Sequence, residues 1–117
     1  MDLQTYQELS KRTMPPFGNY AEHRDTLGNY ALGLAGESGE VVELIKKKLH
    51  HSHDVATDEV KKELGDTLHY LAGIATIFGI SLQDVAEANL TKLSERYPNG
   101  FNTADSIARV DVVEGKA

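Results

Sequence analysis

Apolar residues at three- and four-residue spacing run through most of this chain, and this spacing restricts it to helices. The longest stripe lies in residues 26–49 and carries Leu27, Tyr30, Ala31, Leu34, Val41, Leu44, Ile45 and Leu49. Such spacing places apolar side chains on one face of an α-helix. No polar–apolar alternation long enough for a strand occurs before residue 101. The sequence therefore predicts an all-α fold.

Prolines, glycines and capping residues divide the chain into segments. Pro15-Pro16 ends the first helix, because proline cannot continue the hydrogen-bond ladder of a helix. Residues 17–25 read as a loop, and Thr57 or Asp58 is expected to cap the third helix. We predict helices over residues 3–12, 26–49, 57–78 and 82–96. The pattern after Phe101 is too weak to assign.

The third predicted helix is apolar on nearly every side from Leu64 to Phe78. A helix of this kind is buried on all sides. A chain of 117 residues cannot easily cover such a helix alone, which suggests that a partner subunit covers part of it. The prediction is a small four-helix-type bundle that is oligomeric.

Composition excludes several classes of function. Twelve Lys and Arg against eighteen Asp and Glu give a net charge of −6, so we expect no general attraction for nucleic acid or for an anionic membrane. The absence of cysteine excludes disulfides, Cys-zinc sites and thiol nucleophiles. No signal peptide is evident, and no apolar run approaches the roughly 20 residues of a membrane helix. We expect a cytoplasmic protein.

Four acids occupy unusual positions on the second and third helices. Glu37 lies on the apolar stripe of helix two, between Leu34 and Val41, and Glu40 lies about one turn further along. Helix three carries a similar pair, Glu63 and Asp66. A short connection favours antiparallel packing of the two helices, in which these pairs face each other.

Four converging carboxylates would raise one another's pKa unless a cation lies between them. Oxygen-only ligands favour a hard ion, here Mg²⁺ or Mn²⁺, and Mg²⁺ held by carboxylates commonly meets substrate phosphates. The alternative is that the acids lie on solvated helix faces. Gly33, Gly36 and Gly39, at three-residue steps beside the first pair, indicate either close helix packing or room for a ligand.

Helix four offers groups that suit phosphates. Asn89, Lys92 and Arg96 lie at steps of three and four residues and so share one face. Arginine can bind phosphate oxygens through two N–H groups, and lysine supplies a point charge. The alternative is a solvated face near a helix C-terminus, where cations are favoured in any case.

These residues resemble the MazG family of nucleoside triphosphate pyrophosphohydrolases. The similarity is carried by ALGLAGESGEV at residues 31–41, KELGD at residues 62–66 and ANLTKLSERYP at residues 88–98. The family pattern is an ExxE pair followed, after a variable spacer, by ExxD. The resemblance covers residues 3–101, and we take residues 1–101 as the domain and 102–117 as a tail of unassigned role.

The resemblance implies an all-α enzyme, a homodimer or homotetramer, that hydrolyses a nucleoside triphosphate to the monophosphate and pyrophosphate with Mg²⁺, in nucleotide-pool cleansing. It implies that the metal ligands are Glu37, Glu40, Glu63 and Asp66. It also implies that Lys92 and Arg96 contact phosphates, with Asn89, and that Tyr70 touches the nucleotide. Nucleic acid and membranes are not expected partners.

Other functions remain open at this point. A related hydrolase could act on dUTP, diphosphates or phosphoribosyl-nucleotides, and a helical oligomer could bind nucleotide without catalysis. The chain lacks the tryptophans with which some relatives stack on the base, so Phe17, Tyr20, His23 and Tyr30 are only guesses for the base pocket.

Overall fold

The structure is a computed structural model, and it describes residues 1–112. Its elements are α1 (Leu3–Ser10), a 3₁₀ turn (Lys11–Thr13), α2 (Tyr20–His50), α3 (Thr57–Ile77), α4 (Leu82–Arg96) and α5 (Thr103–Ala108). The described residues contain no strand beyond an isolated bridge between Pro98 and Gly100. The all-α prediction is therefore confirmed.

The chain forms two compact units, Met1–Leu82 and Gln83–Ala117. The first contains α1, α2 and α3, and the second contains α5 and all of α4 except Leu82. The four-helix bundle and the domain boundary at residue 101 stay predictions. Among residues 1–112 no single helix is long and apolar enough to cross a membrane; α3 and α4 pass that test only when joined across the bend between them.

Helix α2 begins six residues before the predicted start, so the predicted loop over residues 17–25 is wrong from Tyr20 onward. Asn19 accepts a hydrogen bond from the Glu22 backbone, and the Glu22 carboxylate accepts one from the Asn19 backbone. This reciprocal cap starts the helix. Helix α3 is preceded by Ala56, which offers no side-chain cap, so neither Thr57 nor Asp58 has the predicted role.

Two tyrosine–glycine contacts join α2 to α3. The Tyr30 ring lies on Gly73, and the Tyr70 ring lies on Gly33. A Cβ atom at either glycine would approach the facing ring to less than 3.0 Å. Earlier residues of α2 thus meet later residues of α3, which confirms the antiparallel packing predicted for these helices.

Helix α1 docks onto α3 through a buried glutamine. The Gln7 amide donates to the Ile80 carbonyl at 2.9 Å and to the Thr76 hydroxyl at 3.1 Å. Its carbonyl oxygen accepts from the Leu82 backbone at 2.8 Å. Because Gln7 is buried and fully hydrogen-bonded, it fixes α1 against the C-terminal end of α3.

The later part of α3 supplies most of the buried core of the first unit, with Ala72, Gly73, Ala75 and Ile77. In the single chain the helix is not buried on all sides as the sequence predicted. Leu64 and Phe78 stay more than half exposed, at 52% and 60%.

Replacement of Gly73 tests the contact between α2 and α3. The added methyl group of Gly73→Ala would collide with the Tyr30 ring, and we expect a loss of about 1–3 kcal/mol in the free energy of unfolding. Gly36→Ala is the matched control, since nothing lies within 4 Å of its Cβ position. Because alanine favours helix, the control should gain up to about 1 kcal/mol. Equal stability of the two variants in urea unfolding would contradict the close packing.

Candidate functional site

Antiparallel packing of α2 and α3 brings three of the four predicted acids together. Carboxylate oxygens of Glu37, Glu63 and Asp66 lie within 4.8 Å of one another. All three residues are half-buried. Glu37 comes from the middle of α2, and the other two come from the first half of α3, one turn apart. We call these three residues the acid cluster.

Glu40 lies outside the acid cluster and is exposed. A step of three residues falls about 60° short of a full turn, because an α-helix has about 3.6 residues per turn. Glu40 therefore projects at an angle to Glu37, and where α2 packs on α3 this direction leaves it exposed, whereas the same step on α3 keeps both Glu63 and Asp66 in the cluster. Its negative charge still acts on Glu37 and contributes to the raised pKa of that group. A ligand role for Glu40 stays a prediction.

The electrostatics of the acid cluster centre on Glu37, whose pKa is raised above its ordinary value of 4.5. The largest cause is a hydrogen bond with the Glu63 carboxyl group, which requires a shared proton. Burial adds to the shift, as do the negative charges of Asp66, Glu63 and Glu40. Without a cation the cluster therefore tends to retain a proton, which partly relieves the repulsion.

The oxygen donors of the acid cluster fit a hard divalent cation. The three carboxylates converge, no nitrogen or sulfur ligand joins them among residues 1–112, and a cation between them would replace the shared proton. Magnesium and manganese prefer this donor set. The identity of the ion does not follow from the geometry.

An aromatic group lies one turn along α3 from the acid cluster. The ring centroids of Tyr30 and Tyr70 are 5.3 Å apart in an edge-on arrangement, and His69 lies 5.2 Å from Tyr70 and 5.7 Å from Tyr30. Tyr70, the predicted nucleotide contact, is thus packed in the α2–α3 interface. Its role at a nucleotide stays a prediction.

A cavity of about 500 Å³ opens beside this aromatic group. Its lining residues are Met1, Tyr6, Leu9, Ser10, Arg12, Thr13 and His69. Burial raises the pKa of Tyr6, and the negative charge of Asp66 raises it further. The cavity therefore lies within electrostatic reach of the acid cluster, and its lining residue His69 follows Asp66 on α3 by three positions.

Sequence reasoning missed this cavity, because neither Tyr6 nor Arg12 belongs to a motif that indicates a binding site. None of the four residues guessed for the base pocket lines it. Tyr30 is buried, and Phe17 lines a separate cavity of about 340 Å³ near Pro15-Pro16. Tyr20 is exposed.

The three predicted phosphate contacts belong to α4 in the second unit. Asn89 and Lys92 are exposed, whereas Arg96 is half-buried. The Arg96 guanidinium donates from Nε and Nη2 to the two carboxylate oxygens of Asp111, with 2.9 Å between Nη2 and Oδ2. This hydrogen bonding is the largest cause of the raised pKa of Arg96 and the lowered pKa of Asp111. Contact of Lys92 and Arg96 with phosphates stays a prediction.

Comparison with known proteins is consistent with the resemblance. Residues 25–101 match the model of the MazG nucleotide pyrophosphohydrolase domain. The Gene 37 protein of Mycobacterium phage L5 is 31% identical over 105 residues, which cover 86% of this chain and 92% of the phage protein. The name of that relative states no activity. No solved structure matches the chain significantly.

The raised pKa of Glu37 predicts how stability depends on pH when divalent cations are chelated. The folded chain binds this proton more tightly than the unfolded chain does. Its favourable contribution to the free energy of unfolding is therefore complete below pH 4.5. It is lost as the pH rises through the raised pKa. We therefore expect the melting temperature to fall over that interval.

Glu37→Gln should remove this component of the pH dependence, because glutamine keeps the polar group without an ionisation. Asp54→Asn is the matched control, since it makes the same change of charge in the exposed α2–α3 connection. A wild-type pH profile in Glu37→Gln would show that the cluster does not hold the proton.

Proposed function

Because the chain belongs to the MazG nucleotide pyrophosphohydrolase family, we propose that it hydrolyses nucleoside triphosphates to nucleoside monophosphates and pyrophosphate. The reaction would require a divalent cation, Mg²⁺ or Mn²⁺, and would serve to cleanse the nucleotide pool. The convergence of Glu37, Glu63 and Asp66 is the single observation that carries this proposal.

The acid cluster would hold the cation, and Glu40 would support it from one turn away. When bound, the cation supplies positive charge that polarises a phosphoryl group and makes a bound water more acidic. Glu37 would give up its shared proton on binding, so the acids would enter the reaction fully ionised.

We propose that the cavity beside the acid cluster receives the nucleoside. Its volume of about 500 Å³ lies in the range of small-molecule sites, and it combines apolar with polar lining. The ordinary pKa of a tyrosine, 10.0, already keeps Tyr6 a neutral phenol at physiological pH, and the raised pKa acts in the same direction, so its hydroxyl group can donate a hydrogen bond. Tyr70 would contact the nucleotide from the adjoining aromatic group.

Lys92 and Arg96, with Asn89, would neutralise the phosphates that the cation does not reach. The charged side chains of Lys92 and Arg96 and the amide of Asn89 provide hydrogen-bond donors. These donors would stabilise the negative charge that develops on the departing pyrophosphate. Their common face on α4 supports this role.

A homodimer or homotetramer is the proposed assembly, and the cytoplasm the proposed location. The first unit leaves apolar side chains exposed on α2 and α3, including Leu32 at 76%, Val42 at 64% and Leu49 at 67%. Exposed apolar surface of this kind is typical of an interface. Sedimentation of a monomer at micromolar concentration would contradict the oligomer.

The reaction is tested by release of pyrophosphate and of phosphate from a panel of ribo-, deoxy- and modified nucleoside triphosphates, with and without Mg²⁺. We expect Mg²⁺-dependent pyrophosphate from one or more of them. Release of single phosphates, or activity only on diphosphates, dUTP or phosphoribosyl-nucleotides, would instead favour a related hydrolase. A metal-dependent rise in melting temperature without any product would favour a binding protein.

Asp66→Asn removes one charge from the acid cluster and should lower kcat/KM by at least about a hundredfold, with helix content unchanged. Glu43→Gln is the matched control on α2, because Glu43 pairs with Lys46 and not with the cluster. Glu40→Gln should also abolish turnover if the exposed acid joins the ion during the reaction. Retained activity in Asp66→Asn would contradict the site.

A further inference from the structure

The carboxylate of Asp111 is almost completely buried against the side chain of Arg96. The Asp111 side chain is 2% exposed and the Arg96 side chain is 17% exposed. Both carboxylate oxygens accept hydrogen bonds from the same guanidinium, one from Nε and one from Nη2. Such paired contacts fix the plane of the guanidinium as well as its position.

After α4 the backbone reverses its direction, so that Asp111 lies against Arg96. The chain turns at Gly100, whose φ of +85° is one that glycine adopts readily, and then forms α5. Arg109 ends α5 in the left-handed conformation, with φ 48° and ψ 51°. A non-glycine residue adopts this conformation at some cost, so the turn that precedes Asp111 is held by its surroundings.

The pairing with Asp111 uses only part of the hydrogen-bonding capacity of the guanidinium. Of five N–H donors, Asp111 uses one on Nε and one on Nη2. A hydrogen bond between the Arg96 and Tyr97 side chains uses a further donor, and the other N–H groups lie along the edges of the plane that face away from Asp111. The Tyr97 ring flanks the guanidinium, with 6.0 Å between Arg96 Cζ and the ring centroid.

Stability alone gives a weak reason for this ion pair. The desolvation of two buried charges largely offsets their attraction, so a buried ion pair commonly adds little to the free energy of folding. The pair is better explained as a constraint on the orientation of Arg96. That residue lies on the same face of α4 as Lys92, whose positive charge also acts on Asp111.

We propose that Asp111 is a positioning residue, which holds Arg96 side-on so that the edge of its guanidinium that faces away from Asp111 binds a phosphate group of the substrate and of the pyrophosphate product. This inference rests on the proposed role of Arg96 at the phosphates. It assigns a function to the C-terminal segment, which the sequence left without one.

The test measures binding of inorganic pyrophosphate to the full chain with Mg²⁺ by calorimetry, together with kcat and KM for the best triphosphate. Asp111→Asn keeps the size of the side chain but replaces one acceptor oxygen by an N–H₂ group. We expect about tenfold weaker pyrophosphate binding and a higher KM, at unchanged helix content. Glu95→Gln is the matched control, because it makes the same change of charge at the exposed neighbour of Arg96.

A double-mutant cycle separates positioning from a merely structural role. If Asp111 acts through Arg96, Asp111→Asn has no further effect in an Arg96→Gln background. Losses that multiply in the double variant would overturn the inference, as would wild-type binding by Asp111→Asn. Tighter binding by Asp111→Asn would also overturn it, because Asp111 would then compete with the phosphates.

The outcomes distinguish this inference from the proposed function. Wild-type hydrolysis with no effect of Asp111→Asn on binding or KM refutes the inference and leaves the function standing. If the wild-type chain binds pyrophosphate, hydrolyses nothing and loses affinity in both single variants, the function fails and the positioning role stands. A wild-type chain that neither binds pyrophosphate nor hydrolyses a triphosphate refutes both.

Discussion

Repulsion among three carboxylates held close together is the constraint on which the rest of the site depends. Glu37, Glu63 and Asp66 remain within 4.8 Å of one another because the helices that carry them are packed through Tyr30 on Gly73 and Tyr70 on Gly33. Each tyrosine ring occupies the space that a side chain at the facing glycine would need. Close packing of these tyrosines on glycines in the α2–α3 interface therefore holds the three carboxylates together one turn away, although their charges repel.

The chain meets this repulsion in two ways, and both bear on function. The hydrogen bond to Glu63 and the neighbouring negative charges raise the pKa of Glu37, which favours retention of a proton without a cation, and a divalent cation would relieve the repulsion more completely. Metal binding at the acid cluster would therefore be coupled to proton release. Under the proposed function, the cavity lined by Tyr6 and His69 would receive the nucleoside of a nucleotide held by that cation.

The sequence predicted the helices and the antiparallel α2–α3 pair, because periodic apolar spacing reports which face of a helix is buried. Glu37 was recognisable as an anomaly on that face. Periodicity could not separate Glu37 from Glu40, since the ExxE spacing leaves a 60° rotation whose effect depends on where α3 lies. The early start of α2 was readable from Asn19 and Glu22, whose spacing is that of a capping box.

Contacts between distant residues explain what the sequence did not predict. Gln7 is buried because its amide meets the end of α3, more than 60 residues away, and nothing in its own helix indicates this. The pairing of Asp111 with Arg96 joins the tail, which the sequence left unassigned, to α4. The chain reaches this position through Arg109 in the left-handed conformation, which no local sequence pattern predicts. Local spacing identifies the helices and the unusual acids. Contacts between residues distant in the sequence determine which side chains meet.

Binding of Mn²⁺ to the metal-free chain, followed by the loss of the free-ion signal in electron paramagnetic resonance, tests the acid cluster most directly. We predict saturable binding by the wild-type chain, at least about tenfold weaker binding by Glu63→Gln, and wild-type binding by Glu43→Gln. Wild-type affinity in Glu63→Gln, or no binding by the wild-type chain, would contradict the claim that these three carboxylates hold the cation.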